Sequence, residues 1–127
     1  MTFLIDSDVL IWLTRGHVGA KARLDLIHPW RLSVVTYLEL AQGCRSKDEL
    51  QRLKRGLAQR DSDVLPLTPA ISKQATTLID TYALSGGLQL ADALIAATAL
   101  DHGLTLLTAN AKHFSIIDGL DRERFVP

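Results

Sequence analysis

Short apolar runs rich in β-branched residues alternate along this chain with longer segments whose apolar residues recur every three or four positions. The first pattern is that of buried strands and the second that of helices packed on one face. Their alternation predicts an α/β domain with a largely parallel central sheet flanked by helices. Strands are expected at 2–6, Leu32–Val35, Val64–Leu67 and Leu104–Thr108, with a weaker candidate at Ser115–Ile117. Pro66 has no N–H for a ladder, which puts the third strand at a sheet edge.

Helix starts carry capping signals. Thr36-Tyr37-Leu38-Glu39 and Ser46-Lys47-Asp48-Glu49 read as capping boxes, and Thr68-Pro69 reads as a cap followed by proline at the first helical position. Gly43 and Gly103 stand where a left-handed residue would close a helix. Leu50, Leu53 and Leu57 form one apolar stripe and Ile71, Ala75, Leu78 and Tyr82 another, both of which belong to a core. Repeats, low-complexity tracts and linkers are absent from the sequence, so residues 1–127 are expected to form one domain.

Composition narrows the function classes. A chain of 127 residues, 47% of them hydrophobic, can bury a real core. It has no run approaching the roughly 20 apolar residues that span a bilayer and no signal-peptide pattern at its start, so no membrane partner and a cytoplasmic location are expected. The single Cys44 permits no internal disulfide. Acids and bases balance at 14 each, unlike a general nucleic-acid binder. Setting aside Asp6, Asp8, Glu39 and Asp92 leaves ten of the 14 acids against 14 bases, a division that suits a polyanion held at a metal but that any four acids would also give.

Those four acids are the chemical signal. Asp6 closes the first apolar strand, while Glu39 and Asp92 sit inside otherwise apolar stretches near expected helix starts, Asp92 opening a helix Leu90–His102. Burying an ionised carboxylate without a partner costs several kcal/mol. Like charges about 4 Å apart repel by about 4 kcal/mol at an effective dielectric of 20. A hard divalent cation with a preference for oxygen ligands would relieve both. In open parallel sheets ligands gather beyond the carboxyl ends of the strands, where βα connectivity would put Asp6, Glu39, Asp92 and Asn110.

Each residue also has a plainer explanation. A capping box accounts for Glu39, a helix dipole for Asp92, and a turn for Asn110. Ser7 and Asp8 read as N-caps of a helix Val9–Leu13, with a supporting role near the site as the alternative for Asp8. The basic stretch Arg45, Lys47, Arg52, Lys54, Arg55 and Arg60 fits a solvated helix face better than an RNA track. Trp12 and Trp30 read as core, and His102 and His113 as a helix-end and a loop residue without zinc-ligand spacing.

The segments Leu4-Ile5-Asp6-Ser7-Asp8-Val9-Leu10, Thr36-Tyr37-Leu38-Glu39-Leu40, Leu90-Ala91-Asp92-Ala93-Leu94-Ile95-Ala96-Ala97-Thr98-Ala99 and Leu107-Thr108-Ala109-Asn110 resemble, in order and spacing, the signatures of PIN domains, with the VapC-like toxin group nearest. The resemblance implies a three-layer α/β/α domain and a Mg²⁺- or Mn²⁺-dependent endoribonuclease, commonly the toxin of a toxin-antitoxin pair. It further implies a homodimer and a cognate antitoxin that blocks the site. Carried over by position, Asp6, Glu39 and Asp92 match the acidic metal-site residues. Asn110 stands at a fourth position where an acid is common, and its amide brings less negative charge. Asp6 and Asp92 would hold the main ion, Glu39 would position or deprotonate the attacking water, and Asn110 and Thr108 would support them.

Two other classes share parts of the pattern. A phosphorylation-switch receiver has this length and acids at its first strand, but Asp61 and Asp63 precede the 64–67 strand and Lys112 lies beyond Thr108, which fits it poorly. A haloacid-dehalogenase-like phosphatase could use Asp6 and Asp8 but needs more chain. A PIN-like binding module without activity is the third alternative, suggested by Asn110.

Overall fold

In the computed structural model, which describes residues 2–127, the order is β1 (Phe3–Ile5), α1 (Ser7–Thr14), α2 (Val18–Leu24), β2 (Arg31–Ser33), α3 (Val34–Gln42), α4 (Lys47–Gln59), β3 (Asp63–Leu65), α5 (Pro69–Gly86), α6 (Leu90–His102), β4 (Thr105–Thr108), α7 (Ala111–Phe114) and β5 (Arg122–Arg124). The ladders β1–β4, β4–β5 and β2–β3 are all parallel. They meet where β2 lies against β1. Strand alternation then separates two apolar layers. Leu4 and Leu106 point into a cluster with Ile71, Leu78, Ile95 and Phe114, while Phe3, Ile5 and Leu107 point the other way, among Val9, Leu24, Trp30 and Phe125. Helices therefore cover both faces, the three-layer α/β/α arrangement.

The four main strands and the α4, α5 and α6 helices lie where the sequence put them. α6 has the expected bounds and Gly103 closes it with φ 63°. Thr68 Oγ1 accepts from Ile71 N–H at 3.2 Å with Pro69 in the first turn, and β3, beside Pro66, has a ladder partner only in β2 among the described residues.

Several expectations are corrected. α3 is capped three residues before Thr36: Ser33 Oγ accepts from Val35 N–H, so β2 stops at Ser33 and Thr36 is buried inside the helix. Gly43 has a right-handed φ of −76°, so no left-handed residue closes α3 there. At Ser46 the cap forms, but Glu49 reaches Arg45 N–H instead of Ser46 N–H. α1 spans Ser7–Thr14, capped by Asp6, so neither Ser7 nor Asp8 is its cap. Ser115–Ile117 is a turn. The fifth strand is Arg122–Arg124, whose charged residues carry no apolar signal because it is an edge held by backbone bonds to β4. α2 likewise has no Ser, Thr, Asp or Asn at its start, since the imidazole of His17 caps it by accepting Ala20 N–H.

Candidate functional site

The chain order reverses between β1 and β4, which leaves a crevice beyond their carboxyl ends. Asp6 N–H makes the last rung of that ladder to Leu107 O at 2.9 Å, so the Asp6 carboxylate leaves the sheet at its edge. It is 6% exposed. Its Oδ1 accepts Ser7 N–H and its Oδ2 accepts Thr108 Oγ1–H, each at 2.8 Å. These two bonds do not offset desolvation, and with Asp8 as a like-charged neighbour the Asp6 pKa is pushed up to about 7.

Asp8, one step into α1, faces the same edge. Its Oδ1 accepts Ala109 N–H at 3.1 Å and its Oδ2 lies 3.3 Å from Thr108 Oγ1. Glu39 projects from α3 and stays largely exposed, with Oε1 3.4 Å from Ser7 Oγ. Partial burial, then the charges of Asp92 and Asp8, raise its pKa against the Ser7 bond. Asp92, in the first turn of α6, is raised by partial burial and by Asp8, and lowered by His113, whose Nδ1 is 3.9 Å from Asp92 Oδ2.

The structure thus brings Asp92 near enough to act on both Asp6 and Glu39, and adds Asp8, which acts on all three. It ties Asn110 in only through the backbone: Asn110 N–H donates to Thr108 Oγ1 at 3.0 Å, while its side chain is exposed and caps nothing at the head of α7. His113 is not a loop residue but belongs to α7, which carries it to Asp92. Asp6 makes the cap expected of Asp8, which leaves Asp8 in the alternative position near the site, and the His113 approach to Asp92 depends on how α6 and α7 pack, which no local pattern encodes.

Could this edge hold a divalent cation? The donors are all oxygen, burial and then neighbouring carboxylates raise three of their pKa values, and among the described residues His113 is the one basic side chain that approaches any of them. That chemistry fits a hard ion. Among the described residues no three His, Cys, Asp or Glu side chains already stand at ligating distances, so ligation needs the exposed Glu39 and half-buried Asp92 to turn inward. From Ser7 and Glu39 the edge opens into a groove of about 1020 Å³ between α1, α3 and α4, with Leu10, Leu40 and Leu53 among its apolar lining and Arg15, Arg45 and Arg52 among its basic groups.

The family model of the PIN domain matches residues 3–120. The chain belongs to the PIN-domain family. That membership removes the receiver and dehalogenase-like readings. The chain is 37% identical to ribonuclease VapC10 of Mycobacterium tuberculosis, covering 98% of this chain and 94% of the relative. It is 31% identical to ribonuclease VapC1 of Rickettsia felis, covering 95% and 94%. A solved toxin-antitoxin complex from Klebsiella pneumoniae contains a chain that superposes with a TM-score of 0.79 at 30% identity, over 94% of this chain and 95% of that one.

Proposed function

We propose that this PIN domain, residues 1–127, is a Mg²⁺- or Mn²⁺-dependent endoribonuclease of the cytoplasm and the toxin half of a toxin-antitoxin pair. In this reading it forms a homodimer and its site is covered by a cognate antitoxin. The observation that carries the reading is the set of carboxylates from β1, α1, α3 and α6 sharing one field at the carboxyl edge of the sheet, with no Lys or Arg bonded to any of them among the described residues. The names of the VapC relatives and the toxin-antitoxin neighbour support the substrate class and the partner class. The groove beside Glu39 supports a covering segment with apolar and acidic side chains.

In this reading Asp6 and Asp92 would hold the ion, and Glu39 would position or deprotonate the attacking water and could add a ligand. When bound, a divalent cation polarises the phosphoryl oxygen, lowers the pKa of water and stabilises the leaving oxygen. Thr108 and Ser7 N–H fix the two Asp6 oxygens in place. Glu39, turned inward from Ser7, would accept a proton from the water that attacks phosphorus, and its raised pKa suits that task. Asn110 and Thr108 support the edge, the former as a polar group open to substrate.

The test is cleavage of end-labelled RNA by the full chain. Mg²⁺ or Mn²⁺ should support cleavage, and chelator or Asp6→Ala should abolish it while far-UV circular dichroism is unchanged. Intact RNA with folded wild-type protein in both metals overturns the nuclease reading and leaves a PIN-like binding module.

A further inference from the structure

Asp8 is the acid that its sequence position assigns to a helix cap, yet Asp6 makes that cap. Instead Asp8 turns from α1 toward the end of β4. Its Oδ1 accepts Ala109 N–H, which joins α1 to the β4–α7 turn. Its Oδ2 competes with Asp6 Oδ2 for Thr108 Oγ1, at 3.3 Å against 2.8 Å. A hydroxyl has one hydrogen to give. The shorter contact takes it, and Asn110 N–H occupies the hydroxyl as acceptor. Asp8 Oδ2 is therefore left at the edge of the cluster as an acceptor short of a donor.

The charge of Asp8 acts on Asp6, Glu39 and Asp92 alike. Without a counter-ion that is a cost. An asparagine here would keep the carbonyl oxygen for Ala109 N–H and could donate its amide hydrogens to Thr108 Oγ1, so the clamp alone gives no reason for a carboxylate. A cation shared by the neighbours does.

We propose that Asp8 is a positioning residue of the cation site: Oδ1 clamps the β4–α7 turn to α1, and the carboxylate charge strengthens the hold of Asp6, Glu39 and Asp92 on a divalent ion. The inference rests on the metal-dependent reading above. At the head of α7 Asn110 supplies no charge, so in this chain the additional negative charge comes from α1.

Calorimetric titration of the full chain with MnCl₂, paired with melting of the same samples without metal, tests it. Asp8→Asn should weaken Mn²⁺ binding about tenfold or more, as expected for losing a unit charge a few ångströms from the ion, while the metal-free melting temperature stays level or rises. Asp8→Ala should weaken binding as much and also lower the metal-free melting temperature, because the clamp is lost. Asp80→Asn, an exposed acid on α5, should bind as wild type does. Asp8→Asn binding within about threefold of wild type overturns the role of the charge. A metal-free melting loss in Asp8→Asn equal to that of Asp8→Ala makes Asp8 a purely structural acid and overturns it as well. If wild type itself takes up no Mn²⁺, the metal-dependent reading fails and this inference fails with it.

Discussion

Thr108 Oγ1 donates to Asp6 Oδ2 at 2.8 Å across 102 positions of sequence, joining the ends of the two strands that flank the crevice. Both residues are buried. This bond decides which way the Asp6 carboxylate faces and partly offsets its desolvation. Thr108→Val keeps the shape and removes the hydroxyl, so at pH 8, where Asp6 is ionised, urea melts should show a loss of about 1.5–3 kcal/mol. Thr108→Ser should recover most of it. An unchanged midpoint in Thr108→Val would remove the bond from the account.

The raised Asp6 pKa makes the metal-free chain sensitive to pH. Unfolded, this carboxyl releases its proton near 3.8, and folded it keeps it to about 7. Between those values the native state binds more protons, so stability falls as pH rises through that window and levels off above it. The shift corresponds to a cost on the order of 4 kcal/mol at alkaline pH. Glu39 and Asp92 are displaced in the same direction. Metal-free melting temperatures should drop from pH 5 to pH 8, and Asp6→Asn should flatten the profile. A rising profile, with Asp6→Asn parallel to wild type, contradicts this.

Phe114 is fully buried and anchors α7, the helix that carries His113 and follows Asn110. Phe114→Ala should cost about 3–5 kcal/mol by leaving a cavity. Denaturant melts measure it, and a loss below about 1 kcal/mol would mean that α7 is not held by this side chain.

Ser46 caps α4 by accepting Glu49 N–H at 3.2 Å on an exposed turn. Ser46→Ala should therefore lower stability by about 1 kcal/mol, and Ser46→Asp should keep the cap and match wild type closely. Equal melting of Ser46→Ala and wild type would show that the cap contributes nothing.

Much of this was legible because it is encoded locally. The α/β alternation, the bounds of α6, the Thr68-Pro69 start of α5 and the Gly103 stop each depend on a handful of neighbouring residues. Glu39 lies in the helix after β2 as expected, but the capping box at Thr36 does not form and α3 begins at Val34, so Glu39 stands more than one turn in. What the sequence concealed depends on contacts between distant segments. β5 pairs by its backbone while showing only Arg122, Glu123 and Arg124, and α2 is capped by an imidazole. Asp8 looked like a cap because its real partners, Thr108 and Ala109, lie about a hundred residues away. The meeting of Asp6, Glu39 and Asp92 was inferred from βα connectivity, and the fold places them in one field without closing them into a finished ligand set.

Anomalous diffraction from crystals soaked in MnCl₂ tests the shared counter-ion most directly. A manganese peak bounded by the carboxylates of Asp6 and Asp92, with Glu39 turned toward it and the peak gone in Asp6→Asn, is the predicted result. Ordered density for all four acids with no peak among them at saturating manganese would contradict the account.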